Sequence, residues 1–368
     1  MVQIVNVQVS QQVASAPSTL QRTGAILTQG GTTTAANTAT LLTSASDLTA
    51  ILSGTSAATE LLAAVTTFFA QGNATPVYVL ELGSDGSPTA AEGVIALGLY
   101  ITTYAGTTDK PKFYSYLVPT SWDTESTFRT FTQTYSGTSA QIYFFITTTL
   151  ATYAGWNTYR NKSQFFVFPS TAAPSTEFSA AAFFHVALSY DPSSSNLVTP
   201  MAWSYLYGVT AYSELTNTQQ TTLLAWGANW VGVGAEGGIS NKLIVGGQMG
   251  DLNPFNYWYC VDWLSINIEL YLAAAVINGS NNPTNPLYYN QDGINRLQST
   301  AQSIVDNGIS FGLVLAPATV NAVGFSTYIA QNPSDYSIGR YNGLSLTFVP
   351  ARGFQSITVY LTASNIPV

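Results

Sequence analysis

Residues 57–82 read AATELLAAVTTFFAQGNATPVYVLEL, and the two halves of this stretch have different periods. In the first half Leu61, Val65 and Phe68 recur at spacings of three and four, with Leu62 and Phe69 beside them, so a helix over 57–69 has one apolar face. Gly72-Asn73 stops that helix. Pro76 then opens PVYVLEL, a short apolar run with β-branched and aromatic residues, which predicts a buried strand over 76–82. A helix followed by a buried strand is the repeating unit of a sheet covered by helices.

The same order extends in both directions. Upstream, a strand over 24–29 ends in Gly30-Gly31. Downstream come a helix over 90–104, a strand over 112–118, a helix over 123–135 ended by Gly137, and strands over 141–147 and 164–168. An Ala/Phe helix over 178–189 leads to a Pro- and Ser-rich break at 191–200. The second half opens with a helix over 215–226 and a Gly-rich span, 227–250, that cannot be helical. Trp258, Val261, Leu264, Ile268, Leu272 and Ala275 then form a long apolar stripe. After the Asn- and Pro-rich residues 278–286, Asp292 is the expected N-cap of a helix carrying Ile294, Leu297, Ala301 and Ile304 and closed by Gly308. Strands over 310–316 and 344–349 and a turn at 350–353 follow. The expected class is α/β (α+β mixed), with mixed sheets flanked by helices.

Both ends carry a further strand pattern. Val5, Val7 and Val9 share one face of residues 2–9, and Ile357, Val359 and Leu361 share one face of 356–362. Val13–Thr19 has the composition of a hinge. An unpaired strand is an aggregation hazard, so each terminal strand is expected to find a partner. The expected division is an arm and linker over 1–19, a first core part over 20–82, a peripheral α/β module over 83–199, a second core part over 200–352, and a terminal arm over 353–368.

Composition narrows the function classes. Of 368 residues 46% are hydrophobic and only 8% charged, against roughly a quarter charged in an ordinary soluble domain. Such a surface has little electrostatic repulsion to keep copies apart, which suits permanent packing against neighbours. The net charge of −8 and the scattered basic residues argue against direct nucleic-acid binding. One Cys and one His exclude an intramolecular disulfide and a Cys/His zinc site. The start MVQIVNVQVSQQ has neither a basic nor a continuous apolar leader region, and no uninterrupted apolar run approaches a membrane span, so no membrane insertion is expected.

Chemistry-bearing patterns are few. Gly232, Gly234 and Gly237 match GxGxxG, but a phosphate site needs a helix directly after the glycines, and here LIVGG, another extended stretch, follows. His185 sits on an apolar helical face and reads as a core residue. Asp251, Asp262 and Glu269 are the carboxylates a hydrolytic pair would draw on. Seven Trp and 22 Tyr could stack on sugar rings or fill core and interface, and Trp226, Trp230, Trp258 and Trp263, flanking the glycine-rich span, favour packing. Cys260, within the apolar stripe, reads as a buried inert thiol. No cofactor or metal is expected.

Phe68–Leu82 (FFAQGNATPVYVLEL), Leu215–Val231 (LTNTQQTTLLAWGANWV), the glycine-rich loop, Tyr259–Val276 (YCVDWLSINIELYLAAAV) and Tyr288–Gly308 (YYNQDGINRLQSTAQSIVDNG) occur in an order that resembles the tail sheath proteins of contractile-tailed bacteriophages. The similarity is clearest over about 200–310. The chain is short for many such sheaths and poor in charge. The resemblance implies a non-enzymatic virion subunit, assembled in the host cytoplasm, that forms six-fold rings around a tail tube and contracts to drive the tube through the host envelope. It implies as partners other copies of the chain, the tail tube, and baseplate and terminator proteins. The terminal strands would add to a neighbour's sheet, and the helix bearing Asp292, Arg296 and Asp306 is the candidate tube-facing or interface element. The alternatives are a β-rich carbohydrate-binding or glycoside-active protein, and a tail tube or capsid protein.

Overall fold

A computed structural model describes residues 19–83, 89–107, 109–170, 173, 175–212, 215–234 and 241–354. The terminal strand candidates, with Val5, Val7, Val9, Ile357, Val359 and Leu361, therefore lie outside the described residues.

The strands are β1 (Gly24–Thr28), β2 (Thr38–Leu42), β3 (Val77–Glu81), β4 (Ser115–Leu117), β5 (Tyr143–Thr147), β6 (Gln164–Phe168), β7 (Tyr205–Leu206), β8 (Ala228–Val233) and β9 (Lys242–Val245) in one sheet, with β10 (Val314–Ala322) and β11 (Leu344–Pro350) in a second. The large sheet runs β2-β3-β1-β4-β5-β6-β8-β9-β7. Its six inner strands from β3 to β8 are parallel, and β2, β9 and β7 add antiparallel edges. Every residue of β1, β5 and β6 is buried. That is the condition of parallel strands covered on both faces, and it explains why YFFIT and QFFVF show no alternation.

Helices fill both layers. On one face α1 (Ser56–Phe69), α4 (Ser179–Leu188) and α6 (Phe255–Ser280) pack against Ile26, Val79, Tyr143, Phe145 and Phe165. On the other, α2 (Ala90–Leu99), α3 (Ser126–Gln133) and α5 (Asn217–Ala225) cover Leu27, Tyr116, Phe144, Ile146 and Phe166. Phe144 shows the density of this second core. Its ring lies within 6 Å of those of Tyr116, Phe128, Phe131 and Tyr135.

The expected fold class stands, with local corrections. The division at 83 and 199 does not separate two cores. Residues 83–199 supply β4, β5 and β6, which stand between β1 and β8, so either boundary runs between hydrogen-bonded strands. The helix expected over 90–104 is α-helical only to Leu99 and continues as a π-turn to Tyr104. The helix expected over 123–135 is the shorter α3, preceded by a 3-10 turn at Thr120–Trp122. Within the Gly-rich span β8 and β9 pair antiparallel, with Gly234 N–H donating to Asn241 O (3.0 Å). Gly237 of its glycine motif lies outside the described residues, and the next element among those described is β9.

α6 is long and apolar enough, by length and composition, to cross a membrane. In the fold its first half lies at the centre of the core, with Trp258, Tyr259, Cys260, Asp262, Leu264 and Ile266 buried.

Candidate assembly surfaces

α7 (Gln291–Ser310) packs against α6 and carries β10 on its flank. Its N-cap is Asn290, not Asp292: Asn290 Oδ1 accepts from Gly293 N–H at 2.9 Å. NQDG offers two capping residues, and glycine at 293 decides between them. A Cβ there would lie 1.9 Å from Tyr288 O, so only glycine admits this entry of the chain. Nor does Gly308 close the helix. It is buried, and a Cβ would touch Leu264, Val314 and Trp263 at 3.4–3.6 Å, so its small size serves the contact with α6 while the helix runs on to Ser310. The strand expected over 310–316 accordingly starts later, at Val314.

Asp292 and Asp306 both stand exposed on the outer face of α7 with Asn295, Ser299 and Ser303. This is a polar surface of low charge. Asp306 accepts from Gln302 Nε2 (2.8 Å). Arg296 is only half-exposed, and its guanidinium donates to Pro286 O (3.0 Å) and Asn285 O (3.4 Å), tying down the preceding loop. Of the three residues picked from sequence, two are therefore available to a partner and one holds its own subunit together.

β10 and β11 form an antiparallel ribbon whose register shifts between Leu315 and Thr319, around Pro317, which has no N–H for the ladder. Leu344, Leu346 and Phe348 turn toward the core, and Ser345, Thr347 and Val349 toward solvent. The two edges of the ribbon differ. On β10, Val320 N–H donates to Gln302 Oε1 (2.8 Å), and Gln298 Nε2 and Gln302 Nε2 donate to Val320 O (2.8 Å) and Ala318 O (3.1 Å). Helix side chains thus satisfy that edge. Among the described residues the only strand beside β11 is β10.

The candidate chemical groups are not brought together as a catalytic set. Asp262 is wholly buried, and its Oδ2 accepts from Tyr114 OH (2.9 Å) and Tyr143 OH (2.6 Å). Burial pushes its carboxyl up from 3.8 to about 6, against the pull of Lys162 and the two phenols. Asp251, in the loop before α6, accepts from Trp258 Nε1 (2.8 Å), and Glu269 lies two helical turns from Asp262. His185 is in the core as expected, with its ring 4.9 Å from Phe68 and Nε2 3.2 Å from Gly72 O, and burial lowers its pKa. It borders a cavity of about 280 Å3 whose one carboxylate, Asp191, is paired with Arg22 at 2.9 Å. Trp230 and Trp258 are buried, and Trp226 stacks on Tyr153 (5.6 Å), which is packing rather than an open aromatic platform. Among the described residues no cluster of His, Cys, Asp or Glu could hold a metal ion.

Solved structures from contractile tail assemblies share this fold. Over 98% of this chain and 100% of the other, it superposes with a TM-score of 0.58 and 13% identity on the anti-feeding prophage helical sheath in its contracted state. A chain of the anti-feeding prophage baseplate in its contracted state gives a TM-score of 0.61 at 12% identity, covering 97% of each chain. The sheath tail protein Lin1278 from Listeria innocua gives 0.53 at 8% identity, over 91% of this chain and 97% of that one. No family model matches the sequence, and no curated protein matches it either.

Proposed function

We propose that this chain is the sheath subunit of a contractile phage-like tail. It polymerises into a helical tube of six-fold rings around an inner tail tube and contracts to drive that tube through a cell envelope. The observation that carries the reading is the match over nearly the whole length of both chains to the anti-feeding prophage sheath. The composition supports it: with 8% charged residues, the exposed faces have little repulsion to overcome when copies pack together.

In this reading the terminal segments are strand arms. Residues 2–9, on the linker over 13–19, and residues 356–362 pair with sheets of neighbouring subunits, and the β10–β11 ribbon is the acceptor. β11 supplies the edge, because Gln298 and Gln302 already occupy the outward backbone groups of β10 at 318–320. Hydrogen-bonded strand addition joins subunits without charge, as this composition requires. Residues 200–352 carry the acceptor ribbon and α7, whose face with Asp292 and Asp306 is assigned to the tube or to a neighbouring subunit. The α2–α3 side, built from 83–199, is assigned to the outside of the sheath. The further partners are the baseplate and the tail terminator.

Deleting residues 1–12, or replacing Val359 with Pro, which removes a ladder donor, should give soluble subunits with an unchanged thermal midpoint that no longer form stable sheaths. Cylinders of normal length from either variant would defeat the arm mechanism.

A further inference from the structure

The last described residues, 351–354, are held from several sides. Ala351 N–H donates to Leu313 O (2.9 Å), and Asn256 Nδ2 donates to Ala351 O (2.9 Å). The Arg352 guanidinium lies 4.8 Å over the Tyr257 ring and donates to Asn253 Oδ1 (2.8 Å). At Gly353 a Cβ would fall 2.4 Å from Cβ and Cγ of Pro200, so any larger residue would force the chain off this path. Finally, Trp203 Nε1 donates to Phe354 O (3.1 Å), across 151 residues of sequence.

Trp203 does this from a strained position. Its φ is 70°, a region that bulky L-residues avoid, and it is kept there by Trp203 N–H to Ile244 O (2.8 Å) and Ser204 N–H to Met201 O (3.2 Å). Burial is not what the strain secures, because the side chain stays 47% exposed and Phe354 78% exposed. What the unusual backbone does is aim an indole N–H at the carbonyl of Phe354.

We propose that Pro200, Trp203, Asn253, Asn256 and Tyr257 form a clasp on residues 351–354 that fixes the point and direction at which the C-terminal arm leaves the subunit. That residues 355–368 form an arm leaving the subunit, and that it reaches a neighbouring copy, rest on the sheath reading above; the hold on residues 351–354 does not. Its parts belong to the start of α6 and to the turn locked against β9. A pull on the arm is therefore delivered to the core helix and the sheet rather than dissipated in a loose tail, and a neighbour's movement moves the whole subunit.

The Arg352–Gly353 bond lies inside the clasp and is a trypsin site, so the full-length chain reports on it directly. Trp203→Phe keeps a ring and removes the donor; Trp203→Gly removes the ring and relieves the left-handed backbone. Release of residues 353–368, followed by intact mass, should be slow in the wild type and about tenfold faster in both variants, the effect of one lost hydrogen bond on local opening. The thermal midpoint of Trp203→Gly should not fall, whereas a merely structural tryptophan would lower it. Equal cleavage rates in all three proteins overturn the clasp, whatever assembles. Failure of the wild type to form cylinders overturns the sheath reading alone and leaves the cleavage result to decide the clasp.

Discussion

Replacing Asp262 with Asn should remove a pH dependence that the wild-type fold carries. Asp262 anchors α6 to the sheet through Tyr114, just before β4, and Tyr143, at the start of β5. The groups around it are Tyr114 and Tyr143, Gln21 donating to Tyr114 OH (3.4 Å), Asp251 beside Tyr143 and Lys162, Cys260, and the buried Lys162, whose ammonium is held by Thr138 O and Ala140 O and lies 4.5 Å from the centre of the Trp258 ring. Burial raises both phenols well above their usual range, so they stay donors at any ordinary pH. The folded value of about 6, against 3.8 for a free carboxyl, means that folding favours the neutral acid. The ionisation cost is therefore absent well below about pH 4, grows between about 4 and 6, and is complete above about pH 7, where it reaches about 3 kcal/mol. Urea unfolding at about pH 4 and pH 7 should show the wild type losing about 2 kcal/mol relative to Asp262→Asn across that interval. The Asn carboxamide oxygen can still accept from the tyrosines, so the variant is expected to be at least as stable as the wild type at pH 7. Parallel profiles for the two proteins, or a wild type that gains on Asp262→Asn as pH rises, would refute the reasoning.

Burial pushes the Cys260 thiol up to about 12, so a thiol reagent at about pH 8 should leave it unmodified in the native protein and label it fully in urea; rapid native labelling would contradict its place in the core. His185→Gln should cost less than about 1 kcal/mol and leave assembly intact, because a glutamine amide can donate to Gly72 O in place of the imidazole; loss of cylinders at normal stability would give His185 a role this account lacks. Phe144→Ala should cost about 3–5 kcal/mol in urea unfolding, since four aromatic rings close on that side chain, and a loss below about 1 kcal/mol would show that the second core is looser than described.

Much of the sheet was legible because its strands are short apolar runs between turn signals: 164–168 was located to the residue, and 76–82 to within one. β2 was missed because TATLL is a partly exposed edge strand in a Thr/Ala-rich stretch, with no alternation and no apolar run to mark it. The central place of residues 83–199 was not legible either. Strand order is set by which buried faces meet, and strands covered on both sides carry no label for their neighbours. On α7 the apolar period marked Ile294, Ala301 and Ile304 as the buried face. It could not show that Gln298 and Gln302 are spent on the β10 edge, because a polar helical residue bound to backbone looks like one facing water. The Trp203 contact joins residues 151 apart through a left-handed backbone, and neither feature leaves a trace in composition or spacing.

The central claim, that this chain is a sheath subunit, is tested most directly by electron microscopy of the purified full-length protein at increasing concentration. The account predicts hollow cylinders with six-fold symmetry in end view, wide enough to enclose a tube, and their disappearance on deletion of residues 1–12. Dispersed single particles at every concentration, with the fold intact by circular dichroism, would contradict it.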